Sequence, residues 1–230
     1  MPDFGTFEAK HNLNFKDKDL LKQAFTHRSY INENAGAGNH NERLEFLGDA
    51  VLELVTTEEL FGRFPNKPEG DLTAIRAAVV NTVSISLAAT ELGMNDYLLL
   101  SKGEAKDKGK ARDYILANTF ESVIGAIYLD AGYDAAKTFI ANALFGKIDN
   151  IVAQKLWRDS KSLIQEKAQE IVNITPRYEV LEETGPDHDK NFTIGVFFGD
   201  ELIAKGTGKS KQEGEQAAAQ EALRLKKWLD

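Results

Sequence analysis

Glu42, Glu45 and Asp49 place three carboxylates at positions i, i+3 and i+7 of a segment that otherwise reads as an apolar helix. At about 100° per residue they share one helix face. Leu44, Leu47, Val51, Leu52 and Val55 fill much of the remaining circumference, so the segment is expected to be buried with an acidic stripe along it. An ionised carboxylate removed from water without a partner is strongly unfavourable. Too few Lys or Arg residues are interleaved to compensate the stripe, which makes a divalent cation the expected partner. A second polar spot, Asn118 and Glu121 at i and i+3, lies in the apolar segment Ile115 to Ala126. Glu45, Asp49, Asn118 and Glu121 together offer four oxygen donors from two helices, with Glu42 as a supporting acid. Hard oxygen donors suit Mg²⁺, with Mn²⁺ as a substitute. No histidine pair lies near them, which argues against zinc. The chain has no cysteine, which excludes disulfides, thiolate metal sites and a cysteine nucleophile.

The elements that must position these residues are mostly helical from Phe15 to about Leu156. A first helix is expected near Asp19–Phe25, followed by the stretch Thr26-His27-Arg28-Ser29-Tyr30 and a small, polar loop, Glu33–Asn41. Asn39 or Asn41 is placed to cap the acidic helix, which should end near Phe61–Pro65. Pro68-Glu69-Gly70-Asp71 opens the next helix, with Leu72, Ile75 and Val79 on one face. Residues 101–110 read as a Gly- and Lys-rich loop, and Asp113–Leu129 as a helix. A turn at Asp130–Tyr133 precedes a last amphipathic helix. After Trp157 the texture changes. A short helix over Ser160–Val172 leads into strands over Arg177–Glu183, Phe192–Phe198 and Leu202–Gly206, with a hairpin turn at Gly199-Asp200. Ser210-Lys211-Gln212-Glu213 reads as a capping box opening an Ala-rich helix to Trp228. The expected fold is therefore an all-α domain over residues 1–156, a short linker over 154–159, and a small α-β-β-β-α domain over 160–230.

Composition narrows the class further. The net charge of −8 opposes a general attraction to nucleic acid, so any such partner must be met by locally placed cations. The first residues lack a basic-then-apolar leader pattern, and no stretch approaches the roughly 18 apolar residues of a membrane span. A cytoplasmic protein without a membrane partner is the expectation.

His40-Asn41-Glu42-Arg43-Leu44-Glu45-Phe46-Leu47-Gly48-Asp49 closely resembles the signature of the ribonuclease III family. Thr26–Tyr30, Glu69–Leu72, Gly103-Glu104 and Glu121–Asp130 fit the same family. The C-terminal part resembles a double-stranded-RNA-binding domain, through Gly185-Pro186-Asp187-His188 and Gly206-Thr207-Gly208-Lys209-Ser210-Lys211. This resemblance implies that Glu45, Asp49 and Glu121 bind metal, with Asp49 and Glu121 catalytic. It also implies that Phe46 packs into a socket on the second copy of a homodimer. The implied activity is endonucleolytic cleavage of double-stranded RNA to 5′-phosphate and 3′-hydroxyl ends, in ribosomal-RNA processing and messenger turnover. One departure stands out. Asn118 occupies a position where the family usually has Asp, which predicts weaker metal binding and leaves a duplex-RNA binder with weakened or absent cleavage as the alternative.

Duplex RNA is held mainly by shape, through 2′-hydroxyl and phosphate contacts over about 16 base pairs. The residues placed to make them are Ser162, Gln165, Glu166 and Gln169 on the first helix of the small domain, His188 in its first hairpin, and Lys209, Lys211 and Gln212 at the start of its last helix. A helix N-terminus adds free amides and a favourable dipole for phosphate. Gln212 replaces a lysine frequent in such domains. A di-metal oxidase is disfavoured by the absence of the Glu-x-x-His pattern those sites use.

Overall fold

The computed structural model describes residues 2–34, 36–106, 109–153, 157, 159–186 and 190–228. The chain forms two compact units, Met1–Trp157 and Arg158–Asp230.

The first unit is helical, comprising α1 (Phe4–His11), α2 (Lys18–Ala24), α3 (Arg28–Glu33), α4 (Glu42–Arg63), α5 (Glu69–Val80), α6 (Thr82–Glu91), α7 (Lys110–Ala131), α8 (Tyr133–Leu144) and α9 (Ile148–Ala153). Helix α7 is its centre. Leu116, Ala117, Phe120, Val123, Ile124, Ala126 and Ile127 are buried on several sides of it, as an all-round apolar helix requires, and α2, α4, α6 and α8 pack around it. Asn118 and Glu121 are thus polar exceptions on a core helix. Helix α4 packs against α7 through Leu44 and Gly48, and Val51, Leu52 and Val55 are buried along it.

Three features depart from the sequence expectation. Helix α1 was not expected. It is held by Phe7, whose ring meets Phe25 at 5.0 Å and Tyr97 at 5.1 Å, and by the buried Glu8 carboxylate, which accepts from Phe15 N and Lys18 Nζ. The stretch around Arg28 is itself a helix, α3, with His27 Nδ1 accepting from Ser29 N as its cap. Asn81 divides α5 from α6 by adopting an extended conformation and accepting from Ser84 N. The predicted end of α4, the start of α5 after Pro68 and the turn at Gly132 agree with the sequence reading.

The second unit contains α10 (Ser160–Val172), β1 (Arg177–Thr184), β2 (Asn191–Phe198), β3 (Glu201–Gly208) and α11 (Lys211–Lys226). The sheet is antiparallel in the order β1-β2-β3. Period two on β2 turns Ile194, Val196 and Phe198 inward, and both helices cover that face through Ile164, Ala168, Ala218, Ala219, Ala222 and Leu223. Gly199, with φ +60°, makes the expected hairpin between β2 and β3. The capping box forms in part. Ser210 Oγ accepts from Glu213 N, but the Glu213 carboxylate reaches Lys209 N instead of the cap residue's own N–H. Linker residues 154–156 and 158 lie outside the described residues. No single described helix is long and apolar enough to cross a membrane.

Candidate active site

Two glycines bring the acid-bearing helices together. A Cβ at Gly48 would lie 1.7 Å from the carbonyl oxygen of Glu121, and one at Gly125 would lie 2.3 Å from that of Leu44. Neither distance is tolerable, so the backbones of α4 and α7 touch only because both positions lack a side chain. Residue 48 meets 121 while residue 44 meets 125, so the helices run antiparallel. Glu45 and Asp49 flank Gly48, and Glu121 lies one turn before Gly125. The glycine crossing therefore sets the approach of carboxylates from two helices. Single glycines within apolar helices were the available signal for this crossing.

Asn41 secures the start of α4. Its N–H donates to Thr26 O at 2.9 Å, its Nδ2 to Ala24 O at 3.2 Å, and its carbonyl accepts from Leu44 N and Glu45 N. The expected side-chain cap is thus corrected. Asn41 holds the cap position, yet its buried side chain makes no capping bond and anchors the end of α2 instead. Ser122 Oγ, buried on α7, lies 2.7 Å from Asn118 O and 3.3 Å from Asn41 O, on the seam between the two helices.

The acids are less buried than their apolar setting predicts. Glu42 and Asp49 are exposed, while Glu45 and Glu121 are half-buried, because α7 covers the Leu44–Gly48 face of α4 and leaves the adjoining face open. Nor does Glu42 lack a cation. Arg28 Nη1 approaches it to 3.7 Å from α3, and the His40 ring lies beside it with Nδ1 at 3.7 Å, neighbours that the sequence of α4 does not reveal. Burial pulls the His27 imidazole below its usual range, against the opposing charges of Glu104 and Glu42.

Deeper in the cleft the carboxylates repel one another. Burial first, then Asp49 and Glu45, raise Glu121 to about 7. Burial, Glu42 and Asp49 raise Glu45, and a hydrogen bond from the Asn118 side chain opposes the rise. Among the described residues no three Asp, Glu or His side chains close around one point. Mutually repelling carboxylates have no reason to converge without a cation, and a Mg²⁺ that keeps several waters does not require them all as direct ligands. The donor set and its charge therefore fit a hard divalent ion.

This repulsion predicts a pH dependence. Glu121 titrates near 7 in the folded chain and near 4.5 when free, so between these values the folded state binds more protons. Stability without divalent ions should therefore fall as pH rises from about 4.5 to 7 and level off above. With allowance for solvent screening at a half-buried site, the effect is on the order of 1–2 kcal/mol. Melting in EDTA across this range, compared with Glu121→Gln, measures it. Equal slopes for the two proteins would remove Glu121 as the cause.

In the second unit Ser162, Gln165, Glu166 and Gln169 are exposed along one stripe of α10, opposite Ile164 and Ala168. Lys209, Lys211 and Gln212 are exposed at the start of α11. Ser160, Ser210 and Gln212 line one recess, so the two helix N-termini are neighbours, and Asp159 joins them by capping α10 and accepting from Gln216 Nε2 at 2.7 Å. His188 lies outside the described residues.

A helical unit with clustered acids at a helix crossing, followed by an α-β-β-β-α unit with a polar helix stripe, has the organisation of a nuclease joined to a duplex-RNA-binding module. Residues 17–148 match the family described as Ribonuclease-III-like, and residues 160–226 match the double-stranded RNA binding motif. Ribonuclease 3 of Protochlamydia amoebophila is 46% identical over 216 residues, covering 94% of this chain and 89% of the relative. Ribonuclease 3 of Carboxydothermus hydrogenoformans is 47% identical over 216 residues, covering 94% and 92%. A solved nuclease domain of ribonuclease III from Campylobacter jejuni superposes with a TM-score of 0.56 at 42% identity, covering 61% of this chain and 98% of that one. The chain belongs to the ribonuclease III family.

Proposed function

We propose that this protein is a homodimeric endoribonuclease that cleaves double-stranded RNA by Mg²⁺-assisted phosphodiester hydrolysis. The observation that carries this reading is the crossing of α4 and α7 at Gly48 and Gly125, which brings the carboxylates of Glu45, Asp49 and Glu121 from two helices into one environment whose mutual repulsion a bound divalent cation would relieve. Glu45, Asp49, Glu121 and Asn118 would hold the ion, directly or through its waters, with Mn²⁺ able to replace Mg²⁺. When bound, the ion would supply an activated water and stabilise the leaving oxygen. Asp49 on α4 and Glu121 on α7 would face the scissile phosphate from the two helices of the crossing. Glu42, beside Arg28 and His40, would act as a supporting acid at its edge. The α10 stripe with Lys209, Lys211 and Gln212 would grip the duplex, and His188 would extend that contact. Ends with 5′-phosphate and 3′-hydroxyl, a cytoplasmic setting and roles in ribosomal-RNA and messenger processing belong to the same reading.

Incubation with a long RNA duplex and Mg²⁺, then Mn²⁺, should yield short double-stranded products. Binding without cleavage in both metals would instead favour the duplex-binding alternative, whose support is the uncharged Asn118.

Phe46 would anchor the dimer. It is 82% exposed on α4, next to the acids, where a second copy would cover its ring. The Campylobacter jejuni relative was described with a region involved in dimer formation of its nuclease domain. Phe46→Glu should shift the protein from dimer to monomer in sedimentation equilibrium. A variant that remains fully dimeric would show that Phe46 is not the anchor.

A further inference from the structure

We infer that Ser29 is a positioning residue whose hydroxyl latches helix α3, so that Arg28 stands at the edge of the acidic cleft and admits the RNA backbone. The inference rests on the nuclease reading above. Helix α3 has six residues and none of them is buried, so apolar packing does little to hold it. Hydrogen bonds to one segment before α7 do so instead. His27 N donates to Leu99 O at 3.0 Å, and Leu99 N donates to Phe25 O at 2.9 Å. Ser101 N donates to Ser29 Oγ at 3.0 Å, and Lys102 N donates to the Glu33 carboxylate at 3.1 Å. Both ends of α3 are therefore tied to consecutive residues. The tie continues into α7, because Glu104 N donates to Ser101 Oγ at 3.2 Å and Arg112 Nη2 donates to Glu104 O at 2.7 Å.

Donor chemistry fixes the direction of the latch. A backbone N–H can only donate, so Ser29 Oγ accepts from Ser101 and turns its own proton to His27 Nδ1, 2.8 Å away. Nδ1 also accepts from Ser29 N, so the His27 ring must be neutral with its proton on Nε2. Burial holds the ring below its usual range, with Glu104 and Glu42 opposing and His40 and Arg112 assisting. Arg28 lies between the two latch residues in sequence, and its Nη1 stands 3.7 Å from the Glu42 carboxylate. An exposed pair at that distance adds little to stability. Its consequence is for the substrate. RNA phosphates approaching Glu42, Glu45, Asp49 and Glu121 meet a row of like charges in a chain of net charge −8, and Arg28 supplies an opposite charge at the entrance. Fixing α3 keeps that charge in place.

The test uses the full-length protein and a defined RNA duplex in Mg²⁺ at low salt. Arg28→Ala and Ser29→Ala should each raise KM about fivefold or more with kcat changed less than about twofold, since a steering charge acts on encounter and not on chemistry. Ser29→Ala should add little in the Arg28→Ala background, because it acts through Arg28. Ser29→Thr, which keeps the hydroxyl, should restore the wild-type KM. A second readout is independent of cleavage. Nitrogen NMR of His27 at pH 8 should show a proton on Nε2 and none on Nδ1, and Ser29→Ala should release this single tautomer. Multiplicative effects of the two alanine variants, an unchanged KM in Ser29→Ala, or a proton on His27 Nδ1 in wild type would each overturn the inference. If Ser29→Ala does not fold, Glu33→Ala decides, because it removes the other tie and should raise KM in wild type but not in the Arg28→Ala background. An unchanged KM there overturns the inference as well. A wild-type protein that binds the duplex without cleaving it would count against the nuclease reading instead, and the same comparisons made on duplex affinity would still judge the latch.

Discussion

Glu121→Ala is expected to reduce cleavage of duplex RNA by roughly 10³-fold or more, while duplex affinity changes little. Glu121 is the most perturbed carboxylate of the cleft, at about 7, and Asp49 and Glu45 both act on it. Its removal takes away the acid that α7 contributes and leaves the RNA-binding unit untouched. Side-by-side cleavage and filter-binding assays on one duplex check this, and full activity in the variant would sink the assignment. The same substitution carries a stability signature. Glu121→Gln should melt higher than wild type in EDTA at pH 8, because it removes a repelled charge from a half-buried position. A protein that becomes more stable and less active on one change is showing strain retained for function.

Gly48→Ala should be the most damaging of the small substitutions. A Cβ at that position falls 1.7 Å from Glu121 O and 2.6 Å from its carbonyl carbon, both backbone atoms that no rotamer change can move aside. The helices must separate or shift, with an expected loss of about 3 kcal/mol or more, or roughly 6–12 °C in melting temperature. Separation also breaks the register between Glu45, Asp49 and Glu121, so cleavage should fall even in the fraction that stays folded. Gly62→Ala is the matched control. Gly62 lies on the same helix with nothing within 4 Å of a Cβ, so alanine there should stabilise by about 0.5–1 kcal/mol through helix propensity. Similar melting of the two variants would show that the crossing is not as tight as its geometry implies.

Much of this was open to reading from local pattern. Ser160–Val172 begins and ends where the periodicity places it, because Asp159 caps one end and Asn173 closes the other in the left-handed conformation. The β2–β3 hairpin follows from alternation around Gly199, and α4 starts and stops within its predicted limits. Helix α1 is weakly encoded locally because its attachment relies largely on Phe7, whose ring partners Phe25 and Tyr97 lie in other elements further along the chain. Helix α3 is a six-residue element capped by a histidine, too short to establish a periodicity.

The stripe of Glu42, Glu45 and Asp49, the donor pair Asn118 and Glu121, and the order of a helical unit before an α-β-β-β-α unit are properties of the sequence alone. They follow from residue type and helical or strand period, which are local. Which acids meet, and how strongly they repel, is a property of the tertiary structure. Gly48 against Glu121, Arg28 beside Glu42 and Asn41 spanning three elements are long-range pairings, and no local period encodes them. The sequence determined that the chain carries the donors for a hard cation. The antiparallel contact of α4 and α7, possible only at two glycines, decided that Glu45, Asp49 and Glu121 share one electrostatic environment, because only close backbone approach brings charges from two helices within range of each other.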